Sequence, residues 1–434
     1  MTSPSPRRIL LVDADAFFVA VARQEDPEGA GKAALLIVGG RPGSRGVVCS
    51  ASYECRAYGV RSAMPLARAL ALCPDATCVP VPRGACSARS RDIQQVLARF
   101  APVVQASSID EWYCDMAGTE ALYGHESLEA TAQRIRAAVF EATGLTVSIG
   151  AGTSRLVAKM AVELAKPKPG TGATGVRCVA PGQEAEFLAP FRLADLPMVG
   201  PRFAATLERM GLERIGEAQQ WPVSDLQARL GERAGAWLHR RVRGIDDSIV
   251  SPRETQKQVS REETFGRDLH DDDLIERELL RLAVRVSTDL RRQGLRARTV
   301  TVKLKDADFK TRSAQRTLKV PIESERSVAK AARVLFRALR GKRRVGVRLL
   351  GIGLSHFDDE TDVGGEGAAR QLGLFAAPVV PVPEGEPVEN AKDRALTRAL
   401  DRIRDRYGSA AILPARLVER AEESTRDTGP RVEE

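Results

Sequence analysis

The chain has 434 residues, 43% hydrophobic and 5% aromatic, with a formal net charge of +9. That length allows about three domains. No apolar run reaches the roughly 18 residues of a membrane span, and the N-terminal M-T-S-P-S-P-R-R lacks a signal-peptide core, so the composition argues against a membrane protein and for a cytoplasmic one.

The charge is unevenly placed. Residues 248–356 carry 26 Lys and Arg against 14 Asp and Glu, residues 1–247 are nearly balanced, and the tail from Phe357 is acidic. A basic segment of that size suggests a polyanion partner. Seven cysteines without a C-x-x-C pair, and four scattered histidines, give no zinc spacing and read as reduced, mostly buried thiols.

In chain order, residues 8–13 predict a buried strand and residues 34–38 (A-L-L-I-V) a second, stopped by Gly39 and Gly40. Helical periodicity runs over 65–72 and 92–100. Residues 103–113 predict another strand, followed by a helix over 127–143, a strand over 145–149 and a helix over 154–165. This mixture predicts an α+β first domain. Lys166-Pro167-Lys168-Pro169-Gly170 ends it and starts a linker. Residues 190–246 predict short helices. There L-P-M-V-G-P-R (196–202) leads into a helix over 204–210, a turn that either aims backbone N–H groups at a phosphate or simply reverses the chain.

Residues 247–258 form a polar connector to the basic domain, which predicts helices over 271–293 and 324–341 and strands over 299–305 and 345–354. Along the first of these strands Val300, Val302 and Leu304 alternate with Thr301, Lys303 and Lys305. One face is apolar, and the other suits a phosphate backbone. From Asp358 the Gly-, Pro- and acid-rich composition predicts a largely disordered tail. Its exception is an amphipathic helix over 391–407 with a stripe of Leu396, Ala399, Leu400, Ile403 and Tyr407, for which the sequence names no partner.

The sharpest chemical signal lies in L-V-D-A-D-A-F-F (11–18) and S-S-I-D-E-W-Y-C-D (107–115), where acidic residues directly follow β-prone apolar ones. Charges are rarely buried unless paired or bound to metal. If the two strands are neighbours, Asp13, Asp110 and Glu111 converge at one sheet edge. Such hard oxygen donors suit two Mg²⁺ ions that also bind a substrate phosphate, and so phosphoryl or nucleotidyl transfer.

Four segments extend this signal: V-D-A-D-A-F-F (12–18), S-A-S-Y-E-C-R-A-Y-G-V-R-S-A-M-P (50–65), S-I-D-E-W-Y (108–113) and L-A-K-P (164–167). In order and spacing they resemble the Y-family DNA polymerases, in the DNA polymerase IV branch of lesion-bypass enzymes. The resemblance covers about residues 7–357. It implies an α+β, multidomain, right-hand-like polymerase: a palm at 1–16 and 82–173, small fingers at 17–81, and a helical, helix-hairpin-helix-like thumb at 174–246. A linker at 247–258, a DNA-binding α/β little finger at 259–357 and an acidic tail at 358–434 complete it.

The resemblance also implies roles. Asp13, Asp110 and Glu111 are catalytic and hold two Mg²⁺ ions, for which Mn²⁺ can substitute, with the Ala14 carbonyl as a further ligand. Tyr53, Arg56 and Lys166 contact the dNTP triphosphate, and Arg61 is either a further contact or an exposed helix-entry residue. Phe18 is the steric gate against a ribose 2′-hydroxyl. Val47, Ser50, Ala51 and Ala63 leave room around the nascent base pair. Asp15 and Asp115 fall outside the trio and read as structural or solvated, although alternation puts Asp15 on the same face as Asp13, where the alternative is a minor role. Gly200, Lys303 and Lys305 are expected to contact DNA, although Met198 stands where the thumb hairpin normally has its first glycine. Q-L-G-L-F (371–375) resembles the sliding-clamp-binding peptide of bacterial polymerases, with Gln371, Leu372, Leu374 and Phe375 as its contacts.

The expected protein is a monomeric, nucleoid-associated DNA polymerase of low fidelity and low processivity that bypasses lesions. Its partners are primer-template DNA, dNTP and the sliding clamp, with no membrane. The alternative is a non-catalytic scaffold that binds DNA and clamp and recruits another translesion polymerase. Retention of all three carboxylates speaks against it. A nucleotidyl cyclase with a similar acidic sheet leaves the basic domain and Q-L-G-L-F unexplained.

Overall fold

A computed structural model describes residues 6–167, 172–252, 256–359, 389–408 and 411–418. They fall into two compact units, one within residues 1–254 and one within 255–434. Q-L-G-L-F at 371–375 lies outside the described residues. Among those described, no helix is long and apolar enough to cross a membrane.

The first unit is organised by strand β1 (Ile9–Ala14), every residue of which is buried. In chain order there follow β2 (Leu36–Gly39), β3 (Val48–Ala51), β4 (Thr77–Pro80), β5 (Val103–Ala106), β6 (Glu111–Asp115), β7 (Val147–Gly152) and β8 (Val176–Cys178). β1 is central in a five-stranded sheet of order β5-β6-β1-β7-β8 and antiparallel to both neighbours. Side chains alternate along a strand. Leu10 and Val12 therefore pack with Trp112 and Cys114 against helices Arg83–Leu97 and Leu128–Thr143. Ile9, Leu11 and Tyr113 face the other way, onto Ala158 and Val162 of helix Arg155–Ala165. A strand covered on both sides needs an unbroken apolar run, which residues 9–12 supply.

That helix lies unusually close to the sheet. A Cβ on Gly150 of β7 would collide with the Ala158 carbonyl and the Val162 amide. Where one strand was expected over 103–113, the chain forms β5, a turn over 107–110 and β6. Asp110 therefore sits in a turn, and Glu111 begins the strand.

β2 to β4 form a separate sheet of order β3-β2-β4, packed on helices Tyr53–Ala57 and Leu66–Leu72. Ser50 and Ala51 are buried in it, whereas Val47 and Ala63 are exposed. Residues 184–241 fold as five short helices around Leu188, Leu193, Leu207, Ile215 and Leu238.

The second unit is an antiparallel sheet of β9 (Gln258–Leu269), β10 (Leu295–Asp306), β11 (Thr311–Ile322) and β12 (Val347–Asp359), in the order β11-β10-β12-β9. Helices Asp272–Arg292 and Glu325–Lys342 pack on the face that holds Val300, Val302 and Leu304. Thr301, Lys303 and Lys305 are on the opposite face, as alternation requires.

Helix Ala391–Tyr407, for which the sequence names no partner, docks within this unit largely through ion pairs. Asp401 accepts two hydrogen bonds from Arg291, at 2.6 and 2.7 Å. Arg404 forms a buried bidentate pair with Glu325, at 2.7 and 3.0 Å. The preceding Glu389 carboxylate accepts from the Ser324 N–H at 2.7 Å and the Glu323 N–H at 3.0 Å, at the start of helix Glu325–Lys342. Leu396, Ile403 and Tyr407 of the expected stripe stay exposed, at 59, 38 and 65%.

Candidate active site

Register sets Asp13 opposite Glu111 on one side and Ser148 on the other. Alternation turns Asp13 and Glu111 toward helix Arg155–Ala165, whose close approach brings two ammonium groups onto them. Lys159 pairs with Glu111. Lys166, at the helix end, lies 2.9 Å from Asp13 Oδ2 and 2.8 Å from Glu163 Oε1. The carboxyls of Asp13 and Glu111 interact, as cross-strand neighbours, and shift each other in opposite directions. Asp13 is only 6% exposed. Burial pushes it up to about 7 against the pull of Lys166, with Glu111 adding to the rise. Burial acts upward on Glu111 as well, but the Lys159 ammonium outweighs it and holds Glu111 below its ordinary value.

Asp110 shares this edge through its backbone, since its carbonyl accepts the Ala14 N–H at 2.9 Å. Its carboxylate instead accepts the Ser108 hydroxyl within the turn. Among the described residues no three acidic, histidine or cysteine side chains converge tightly enough to hold a metal ion. The structure thus joins Asp13 and Glu111, with Ala14 between Asp110 and the sheet, and leaves the Asp110 carboxylate on Ser108. Even so, the donors fit a hard divalent cation: they are carboxylates at a sheet edge, one of them buried at a cost that positive charge must offset.

Asp15 departs from its reading as a structural or solvated residue in one respect, because it is not solvated. It is 8% exposed, its N–H donates to the Thr146 carbonyl at 3.0 Å, and its Oδ1 accepts the Ser148 hydroxyl at 2.7 Å. Asp15 Oδ2 is buried without a hydrogen-bond partner among the described residues. Asp115 lies at the other end of the strand pair, opposite Ile9, and accepts the Ala117 N–H at 3.0 Å.

Helix Phe17–Glu25 starts after Ala16, which is left-handed at φ 45°. Phe17 is buried, and Phe18 is half-buried with its ring in edge contact with Phe17, centroids 5.6 Å apart. The Ser52 hydroxyl accepts the Cys55 N–H at 3.3 Å and so starts helix Tyr53–Ala57. Arg56 lies 5.2 Å from the Tyr53 ring centroid, and its Nε donates to the Ala51 carbonyl at 3.0 Å. The Tyr53 hydroxyl is pushed above its ordinary value, first by burial and then by the Asp15 carboxylate, with Arg56 and Lys166 opposing and Asp13 adding. Arg56 thus lies against Tyr53, Lys166 against Asp13, and the charges of Asp15, Arg56, Lys166 and Asp13 act on the Tyr53 hydroxyl. Arg61 turns back to the Arg56 and Val60 carbonyls, at 2.7 and 2.9 Å.

The sequence reading missed Lys159. Its signal was the spacing: seven residues before Lys166, it falls on the same helix face two turns away.

Gly200 precedes helix Pro201–Arg209, and a Cβ there would meet open space. Met198, 80% exposed, holds the left-handed backbone at φ 74°, so Met198 is the position where glycine would be favoured. Lys303 of β10 pairs with Glu262 of β9 at 3.0 Å, over Gly351 of the intervening β12. The Lys305 ammonium lies 5.2 Å and the Arg348 guanidinium 4.5 Å from the ring centroid of exposed Phe309.

The fold and its acidic sheet edge define a Y-family DNA polymerase. A solved Y-family DNA polymerase chimera of Dbh and Dpo4 superposes with a TM-score of 0.72, covering 81% of this chain and 99% of that one at 23% identity. DinB from Sulfolobus solfataricus gives 0.53 over 80% and 98%, at 25% identity. Residues 12–163 match the impB/mucB/samB family, 256–374 its C-terminal domain, and 194–246 the DNA polymerase-iota thumb domain. DNA polymerase IV of Dehalococcoides mccartyi (strain CBDB1) is 34% identical over 95% of this chain and 98% of its own length. That of Halorhodospira halophila is 40% identical over 80% and 95%.

The chain belongs to the DNA polymerase IV branch of the Y family. It is a DNA-directed DNA polymerase of the lesion-bypass type.

Proposed function

We propose that the chain adds dNTPs to a primer 3′-hydroxyl at the edge where Asp13 and Glu111 meet, copying a template with low fidelity and low processivity. The observation that carries this reading is buried Asp13 beside half-buried Glu111, each paired with a lysine on or at the end of the helix packed on them. Asp13, Glu111, Asp110 and the Ala14 carbonyl would hold two Mg²⁺ ions, with Mn²⁺ as a substitute. Bound divalent cations supply Lewis acidity and neutralise triphosphate charge. Lys166 and Arg56 bind triphosphate oxygens, the first as a point charge and the second as a planar fork. Tyr53 orients the same group by a hydrogen bond, and Phe18 excludes a 2′-hydroxyl by leaving it neither room nor a partner.

In this reading residues 1–16 and 82–173 act as palm, 17–81 as fingers, 174–246 as thumb and 259–357 as little finger. Gly200, Lys303 and Lys305 contact primer-template DNA. The protein works as a monomer at the nucleoid, and Gln371, Leu372, Leu374 and Phe375 bind the bacterial sliding clamp. Primer extension tests the central claim. Asp13→Asn is expected to abolish nucleotide addition with Mg²⁺ or Mn²⁺ while leaving a DNA mobility shift intact. Extension at the wild-type rate by that variant removes the carboxylate pair from catalysis.

A further inference from the structure

Asp15 is a buried charge that the described structure leaves half unanswered. Its Oδ1 has the Ser148 hydroxyl, and its Oδ2 has no donor although the residue is more than nine-tenths buried. A buried carboxylate with one neutral hydrogen bond is expensive, and a native protein tolerates one only where something else supplies the missing partner. Cations of the region are engaged elsewhere: Lys166 with Asp13 and Glu163, and Arg56 with the Ala51 carbonyl and the Tyr53 ring.

The backbone holds Asp15 in place. Its N–H is tied to the Thr146 carbonyl, and Ala14 before it is tied to Asp110. Ser148, which fixes Oδ1, is the residue directly across β7 from Asp13. One hydroxyl therefore links Asp15 to the strand position beside the carboxylate pair. Ser148 is thus flanked by both carboxylates, opposite Asp13 in the sheet and hydrogen-bonded to Asp15.

We propose that Asp15 is a fourth carboxylate of the divalent-cation site, a positioning residue that holds cation-bound water through Oδ2 and not a direct ligand. The inference rests on the reading of Asp13 and Glu111 as cation ligands. Asp115, although also close to the trio in sequence, is excluded by its place at the far end of β6.

The test uses the full chain and Mn²⁺ alone. Binding is followed by the electron paramagnetic resonance of free Mn²⁺, and melting is recorded in chelator and in Mn²⁺. Asp15→Asn keeps the shape and the Ser148 contact but removes the charge. It is expected to bind Mn²⁺ about tenfold more weakly, the usual scale for an outer-shell partner. Without metal it should melt as high as wild type or higher, because a lone buried charge has gone. Asp115→Asn is expected to keep wild-type affinity. If Asp15→Asn binds Mn²⁺ like wild type, the proposal is overturned. Lower melting in chelator, or failure to fold, makes Asp15 a structural residue and overturns it too. If wild type itself binds no Mn²⁺, the carboxylate-pair reading falls first and this one with it.

Discussion

Asp13 shows how one buried carboxyl couples folding to pH. Its value rises from 3.8 to about 7 because burial penalises the anion more than Lys166 relieves it. The native state therefore holds a proton that the unfolded chain releases over the same range. A raised carboxyl contributes stability that is complete below about pH 4 and is lost as pH rises through about 7. In chelator the wild-type melting temperature, measured against that of Asp13→Asn, should fall across that window. Millimolar Mg²⁺ should remove the fall, since a cation replaces the proton. A pH-independent difference between the two proteins would show that Asp13 is ionised throughout. The sequence made Asp13 legible because an acid after Leu10, Leu11 and Val12 has nowhere to go but a sheet edge. Lys159 was not legible, because a lone lysine on an amphipathic helix looks solvated until a glycine at 150 draws the helix onto the sheet.

At the scale of elements, apolar patterning marks β1, β7, helix Arg155–Ala165 and the alternation along β10, but helix Phe17–Glu25, which buries Phe17, Val19 and Val21, was not expected. β9 and β11 escaped because they are edge strands that bury few side chains, chiefly Val259 and Phe265 in one and Leu318 and Ile322 in the other. Helix Ala391–Tyr407 differs: its boundaries are legible in the sequence, but its partner is not, because it docks largely through ion pairs. Buried ion pairs look polar in sequence, so hydropathy assigns them to solvent. Arg291 is 6% exposed in its side chain and Asp401 19%. Removing one member leaves the other as an uncompensated buried charge, at a cost of about 3 kcal/mol. Asp401→Ala is expected to speed amide exchange in helices Asp272–Arg292 and Glu325–Lys342 by roughly a hundredfold. Tryptophan fluorescence should not change, because Trp112, Trp221 and Trp237 all belong to the first unit. The double variant Asp401→Leu/Arg291→Met should recover most of the protection, and unchanged exchange in the single variant would mean that the helix is not docked through this pair.

At the scale of the whole molecule, the +12 carried by residues 248–356 overstates the field available to DNA, because a sequence counts every cation alike. Several arginines are used up within the second unit. Arg312 and Arg343 neutralise the fully buried Asp306, Arg340 pairs with Asp272, and Arg333 and Arg337 share Glu276. Others lie on the helical side, such as Arg292, which pairs with Asp405 on the terminal helix. The outer face of the sheet keeps fewer cations, among them Lys305 and Arg348 beside exposed Phe309. Salt dependence counts phosphates actually neutralised, with a slope of about −0.9 per contact on duplex DNA. Affinity should therefore fall steeply with salt, but by fewer contacts than the net charge suggests. Lys305→Gln is expected to flatten the slope of log affinity against log salt by about one. Arg292→Gln, which removes the same charge from the helical side, should leave the slope unchanged. Equal slopes for the two variants would mean that total charge, and not the outer sheet face, governs DNA binding.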